Sequence, residues 1–296
     1  MADVPIIDAH HHIWRQADLP WLMGPMLPRI FGPYEPLRRD YPIAEFLADI
    51  AGQGVTRSIY VQTNWAPGEE VNETRWVQGV ADAHGWPAAI VSYADLGAGD
   101  LSRTLDGHSE CAAFRGIRQQ LHWHEKELYR FAATPDIMNG AAWQKGFAEV
   151  AERGLVFELQ LFTSQFADGA RLAEDFPDAS IVLEHAGMAE DDSEAGRAAW
   201  AEGMKRLAEN ANVSTKLSGL GTFVQRSDGA DIADIMHRTV AIFGPERCMF
   251  GSNFPIEKLW TGYADLIGAH RAAAAQYSEP ERRAIFHDNA ARVYRL

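Results

Sequence analysis

The chain has 296 residues, 47% hydrophobic and 23% charged, with a formal net charge of -14. That length and apolar content suit one large α/β domain, and the acid excess disfavours non-specific binding to a phosphate backbone. Two isolated cysteines, Cys111 and Cys248, exclude a disulfide framework or a cysteine zinc site. No apolar stretch reaches the ~20 residues that span a bilayer, and no basic-then-apolar leader opens the chain. The expectation is a cytoplasmic protein acting on a small molecule, without nucleic acid or membrane as partner and with a homo-oligomer left open.

The first predicted strand, Pro5 to Ala9, runs into His10, His11 and His12. An apolar strand that stops at an acid and three histidines delivers polar, metal-competent groups to a rim. In extended backbone His10 and His12 point one way and His11 the other. Two imidazoles on one side can share a metal ion or grip an anionic oxygen. From Trp14 to about Arg39, Pro20, Pro25, Pro28, Pro33 and Pro36 interleave with Trp21, Met23, Met26, Phe31 and Tyr34. That density of proline forbids a continuous helix and predicts a long ordered loop, either a lid or a cover for the end of the domain.

Helix and strand then alternate. Ile43, Phe46, Leu47 and Ile50 recur at helical spacing before Gly52 and Gly54, and Ser58–Gln62 reads as strand two. A helix over Val71–His84 precedes strand three at Ala88–Asp95, and a short helix near Leu101–His108 precedes strand four at Phe114–Leu121. After an irregular region carrying His122, Trp123 and His124, a helix over Ala141–Arg153 leads to strand five, Val156–Leu161. Strand six is Ser180–His185, strand seven Val213–Leu217 and strand eight Arg247–Asn253, each preceded by a helical pattern. Ser278 and Glu281 have capping-box spacing with Pro280 in the first turn of a last helix. Eight strands in strict β/α alternation predict parallel pairing and closure into a (β/α)8 TIM barrel, one domain over 1–296, with the proline- and aromatic-rich loop after strand one. An open doubly wound sheet would show a glycine-rich phosphate turn there, where this chain has histidines.

In such a barrel the chemistry lies where the strands end. Those ends carry His10 and His12, Gln62 and Asn64, Tyr93 and Asp95, Arg118 and Gln120, Glu158 and Gln160, His185, Lys216 and Ser218, and Asn253. Polar groups gathered at one end of buried strands cost desolvation unless they face a site or water. Gln120, Glu158, Gln160 and Lys216 are therefore candidate substrate contacts. His122 and His124 in the loop after strand four, and Trp65 after strand two, are further candidates, the tryptophan for stacking on a sugar ring.

The pieces Ile7-Asp8-Ala9-His10-His11-His12-Ile13-Trp14, Phe114-Arg115-Gly116-Ile117-Arg118, Leu183-Glu184-His185-Ala186-Gly187, Lys216-Leu217-Ser218-Gly219-Leu220 and Met249-Phe250-Gly251-Ser252-Asn253-Phe254-Pro255 give the chain a family likeness. It resembles the amidohydrolase superfamily, in particular the amidohydrolase-2 group with its L-fuconolactonase-like and other sugar or dicarboxylate lactonases. The resemblance implies that His10 and His12 belong to a first-strand metal pair. It makes His185 a further ligand or a proton-transfer group, and Arg118 the holder of a substrate carboxylate or ring carbonyl. Asn253 departs from the pattern, since many relatives place an aspartate there. An amide has no useful basicity, so Asn253 is left to orient water or bind substrate. The cofactor implied is one divalent metal, zinc, on His10, His12 and His185, with a metal-independent site as the alternative.

The function implied is hydrolysis of a small sugar-acid or dicarboxylate lactone, with His185, Arg118 and Asn253 at the reacting carbonyl. A non-oxidative decarboxylase on the same scaffold is the first alternative, although Asn253 supplies no strong acid on strand eight. A catalytically silent barrel that binds a sugar acid is the second.

Overall fold

The computed structural model describes residues 4–227 and 229–296. Short runs rich in Val, Ile and Leu form eight strands: β1 (Ile6–His11), β2 (Val55–Val61), β3 (Ala89–Ser92), β4 (Phe114–Gln120), β5 (Val156–Gln160), β6 (Ser180–Leu183), β7 (Val213–Leu217) and β8 (Cys248–Phe250). They lie in sequence order in one sheet, all seven successive pairs parallel. The ends of the sheet meet through Asn253 N–H on His10 O at 2.7 Å and His12 N–H on Phe254 O at 2.7 Å. Asp8 ties the same seam, accepting the Ser252 amide at 2.8 Å and the Tyr263 hydroxyl at 3.0 Å. The architecture is the (β/α)8 barrel that the alternation predicts.

Alternation along the strands divides the apolar side chains into two layers. Ile7, Ala9, Ile59, Val61, Ala89, Val91, Val156, Val182 and Met249 form the inner cluster, joined from the C-terminal helix by Ala290, Val293 and Tyr294. Ile6, Tyr60, Ile90, Ile117, Phe157, Leu159, Ile181 and Leu183 face the helices in a larger cluster. Beyond the inner apolar layer the same faces turn polar, two residues further along each strand: Val156 gives way to Glu158 and Gln160, and Gly116 to Arg118 and Gln120.

The loop after β1 contains only short helical turns, among them Pro20–Met23 and Glu35–Leu37. Its aromatic residues fold it down: Trp21 packs against Trp14, Phe31 and Tyr34, and its Nε1–H meets Thr63 O at 2.9 Å. The Ser278–Glu281 capping box forms, both the Ser278 amide and hydroxyl donating to the Glu281 carboxylate at 2.7 Å. Strands six and eight are shorter than the sequence implies. Glu184 and His185 lie past the end of β6, and Asn253 three residues past β8.

Candidate active site

Two local irregularities aim the histidines. In β1, the inward-facing Ile7 and the inward-facing His10 and His12 are separated by odd numbers of residues, which a regular strand forbids. A register irregularity between Asp8 and His11 changes the parity. His11 turns outward and stacks on Phe46 with ring centroids 3.9 Å apart. His10 and His12 stay on one side, their centroids 5.0 Å apart, as their spacing predicts. After β6, strict alternation from Val182 directs Glu184 inward and would direct His185 outward. The chain instead enters a left-handed turn, with φ 54° at His185 and 48° at Ala186, and His185 comes to lie 4.8 Å from the His10 ring.

At the centre Glu184 is fully buried, with Arg118 Nη1 at 3.2 Å and His10 Nδ1 at 3.2 Å. Burial alone would raise its pKa, but Arg118 and His10 outweigh it and hold the carboxyl well below the usual range. Arg118 Nη2 donates to Gln62 O at 2.5 Å, so both terminal nitrogens are engaged and the guanidinium is fixed. His185 Nδ1 meets Ser218 Oγ at 2.9 Å, and its Nε2 lies 4.0 Å from Glu184. Burial pushes the His185 imidazole down to about 4 and His12 and His122 each down to about 3, so all three are neutral at pH 7.

Above this cluster lies a cavity of about 190 Å³, whose wall includes His12, Gln62, Arg118, Gln120, His122, Gln160, His185 and Asn253. Five polar atoms of these residues are buried without a hydrogen-bond partner: Gln62 Nε2, Arg118 Nε, Gln120 Oε1, His122 Nδ1 and Gln160 Oε1. Buried polar atoms are rarely left unpaired. Here they converge on one space, which marks it as built to hold a polar ligand. The volume falls below the roughly 300–1,000 Å³ usual for drug-sized ligands, so that ligand is small.

Four candidate substrate contacts do not reach the cavity. Lys216 and Glu158 are fully buried and face each other, Nζ to Oε1 2.6 Å, with the Tyr294 hydroxyl also on Glu158 at 2.6 Å. They form an internal ion pair below the site because each faces the barrel interior rather than its mouth. Trp65 packs against Trp76 and under the Arg15 guanidinium, outside the cavity. His124 is held edge-on against Tyr129 and Phe162, and its Nδ1 accepts the Lys126 amide. Conversely, Glu184 and Gln62 occupy central positions that sequence reasoning did not assign. Glu184 belongs to the Leu183-Glu184-His185-Ala186-Gly187 motif, and alternation from Val182 is the signal that aims it inward.

The metal-competent donors that come together among the described residues are His10, Glu184 and His185, mutually within 4.8 Å. His12 is not one of that group; its Nδ1 faces Val61 O at 2.7 Å. His10 Nε2 is buried without a hydrogen-bond partner, while Glu184 Oε1 has His10 Nδ1 at 3.2 Å; a free imidazole nitrogen beside a carboxylate fits a site for a divalent cation. The donor group that comes together thus has Glu184 where the expected trio of His10, His12 and His185 has His12.

Known proteins resemble this chain over nearly its whole length. The amidohydrolase family model matches residues 7–296. Uncharacterized protein y4mH of Sinorhizobium fredii is 39% identical, covering 100% of both chains. L-fucono-1,5-lactonase of Burkholderia multivorans is 30% identical, covering 98% of this chain and 96% of that one. A solved amidohydrolase structure from Burkholderia multivorans with bound zinc has a TM-score of 0.82 at 28% identity, covering 99% of each chain. With a barrel, a histidine-bearing first strand and a family match over nearly its whole length, the chain belongs to the amidohydrolase family.

Proposed function

We propose that this protein is a lactonase that opens a small sugar-acid or dicarboxylate lactone by adding water to the ring ester carbonyl. The observation that carries this reading is the cavity wall, where five unpartnered buried polar atoms belong to residues around a space of about 190 Å³, and a small hydroxylated ring would supply their partners. The lactonase relative at 30% identity supports the ester as the reacting group.

Each residue's part follows from its partners. Arg118, its terminal nitrogens held by Glu184 and Gln62 O, keeps Nε–H free for the carbonyl oxygen as negative charge grows there. His185 is neutral at pH 7, so it can take the proton that water loses on attack. Glu184, 4.0 Å from its Nε2, stabilises the imidazolium that results. His185 then returns the proton to the ring oxygen as the C–O bond breaks, leaving a hydroxy acid that ionises. Asn253 lines the cavity and holds water or a substrate hydroxyl through its amide. His10 and Glu184 are the residues that would hold a divalent metal, with His185 as a third ligand only in place of its proton-transfer role. When bound, zinc polarises a carbonyl or lowers the pKa of water to about 7.

A pH-indicator assay with aldonolactones and aldarolactones tests the reading. Acid release with kcat/KM above ~10^4 M−1s−1 is expected. Carbon dioxide release would point to decarboxylation instead, and melting shifts without turnover to a silent binder. His185→Ala should abolish turnover while the melting temperature stays within a few degrees. Zinc analysis of protein purified without chelator, repeated on Glu184→Gln, tests the donor set: about one ion per chain is expected in the wild type and loss in the variant.

A further inference from the structure

The wall of the cavity reverses the charge of the molecule around it. The chain carries 41 acidic residues against 27 lysines and arginines. Among the described residues the cavity lining has three arginines, Arg29, Arg118 and Arg130, and one acid, Glu127, which is exposed. Asn253, where an aspartate would add negative charge, is neutral.

Two of the arginines are already engaged. Arg118 is held by Glu184 and Gln62 O. Arg130 donates to the carbonyls of His124 and Glu125 and lies 5.1 Å over the Trp123 ring. Arg29 has neither carboxylate nor hydrogen-bond acceptor among the described residues, and its Nε is buried without a partner. It is nevertheless placed. Its guanidinium stands 5.8 Å over the ring of Trp21, which is itself anchored on Thr63 O and packed against Trp14, Phe31 and Tyr34. A guanidinium stacked on a ring, facing a cavity and lacking an internal anion, is suited to take a planar carboxylate from a ligand.

We infer that the substrate carries a free carboxylate and that Arg29 binds it, making Arg29 the specificity-determining residue of the site. This rests on the lactonase reading and narrows it to anionic lactones, those of aldaric-type diacids, over neutral aldonolactones. The reacting carbonyl meets Arg118 and His185, and the second carboxylate meets Arg29 on the loop after β1.

The test compares aldaro-1,4-lactones with aldono-1,4-lactones of matching configuration, in which the carboxylate is a hydroxymethyl group. The wild type should favour the aldarolactone in kcat/KM. Arg29→Gln should lower that ratio roughly 10- to 100-fold, mainly through KM, the range of a lost charge-assisted contact. Arg29→Lys should recover part of it by restoring the charge. A wild type that prefers the neutral lactone, or a ratio that Arg29→Gln leaves unchanged, overturns the inference while the lactonase reading stands. If no lactone is opened, the lactonase reading fails, and calorimetric titration with the open-chain aldarate still tests Arg29. Binding at least 10-fold tighter than the matching aldonate, lost in Arg29→Gln, supports the carboxylate site; equal binding overturns it.

Discussion

His185 owes its position to what stands behind it. Ser218 Oγ holds Nδ1 at 2.9 Å, and Gly219 leaves room for the ring only because it has no side chain. A Cβ at Gly219 would lie 2.7 Å from His185 Nδ1, and the backbone there has φ +60°, where an L side chain is strained. Gly219→Ala should therefore lower kcat/KM about 100-fold by displacing the imidazole, with a modest fall in melting temperature. Gly52→Ala is the control, since Gly52 has φ +75° but nothing within 4 Å of the added Cβ. It should lose comparable stability and keep its activity. Full activity in Gly219→Ala would show that the placement of His185 does not matter. Asn253 likewise occupies a left-handed position, φ 55°, which asparagine tolerates well. Glu257, one helical turn on, has a buried carboxyl that desolvation pushes up to about 7, with the nearby Asn253 amide opposing the shift. An aspartate at 253 would set a second carboxyl against this one, a physical reason for the amide.

At the scale of elements, the internal pair Lys216–Glu158 joins β7 to β5 and, through the Tyr294 hydroxyl, to the C-terminal helix Asn289–Tyr294. Lys216 Nζ also lies 3.4 Å from His10 Nδ1, so this layer supports the site from below. Burial pushes the Glu158 carboxyl up and Lys216 opposes it. Lys216→Met leaves the carboxyl without its cation and should cost about 3 kcal/mol in urea unfolding, with Lys216→Met/Glu158→Leu recovering most of the loss. Unchanged stability in the single variant would mean that the pair carries no charge. The strands themselves are readable because runs such as Ile181–Leu183 and Ala89–Val91 are apolar, short and bounded by turns. The aim of their last residues was less readable. Lys216 and Glu158 satisfy each other across the barrel, a pairing 58 residues apart in sequence that periodicity along either strand does not reveal.

At the scale of the whole molecule, buried neutral histidines make stability depend on pH. His108, held by Thr74 Oγ1 and Tyr93 O, and His270, on Leu266 O, are each pushed by burial from 6.5 down to about 4. Their contribution is fully present above pH 6.5 and is lost as pH falls through about 4, because the unfolded chain takes up the protons first. Each is worth on the order of 3 kcal/mol across that window. Glu257 and Asp8, pushed up to about 7 and about 6, act in the opposite sense, so the check is made residue by residue. The stability gap between wild type and His108→Gln should shrink from pH 7.5 to pH 4; a constant gap would mean that His108 takes up its proton in the fold as readily as in the unfolded chain. Around the mouth, Leu27, Leu128 and Phe131 remain exposed on the loops after β1 and β4, an apolar rim around a cavity whose wall carries Arg29.

The sequence by itself determined the eight β/α units, the parallel barrel they close into and the shared side of His10 and His12, because hydrophobic period and side-chain alternation are local properties of a chain. It also brought His185, Arg118 and Asn253 to one end of the barrel through their places at the strand ends. Only the tertiary structure decided that Glu184 joins His10 and His185, that Lys216 and Glu158 turn to each other, and that Arg29 is left without an anion among the described residues. Those outcomes depend on a register irregularity in β1, a left-handed turn after β6 and partners distant in sequence. Each is a balance of burial against pairing that exists only once the strands lie side by side.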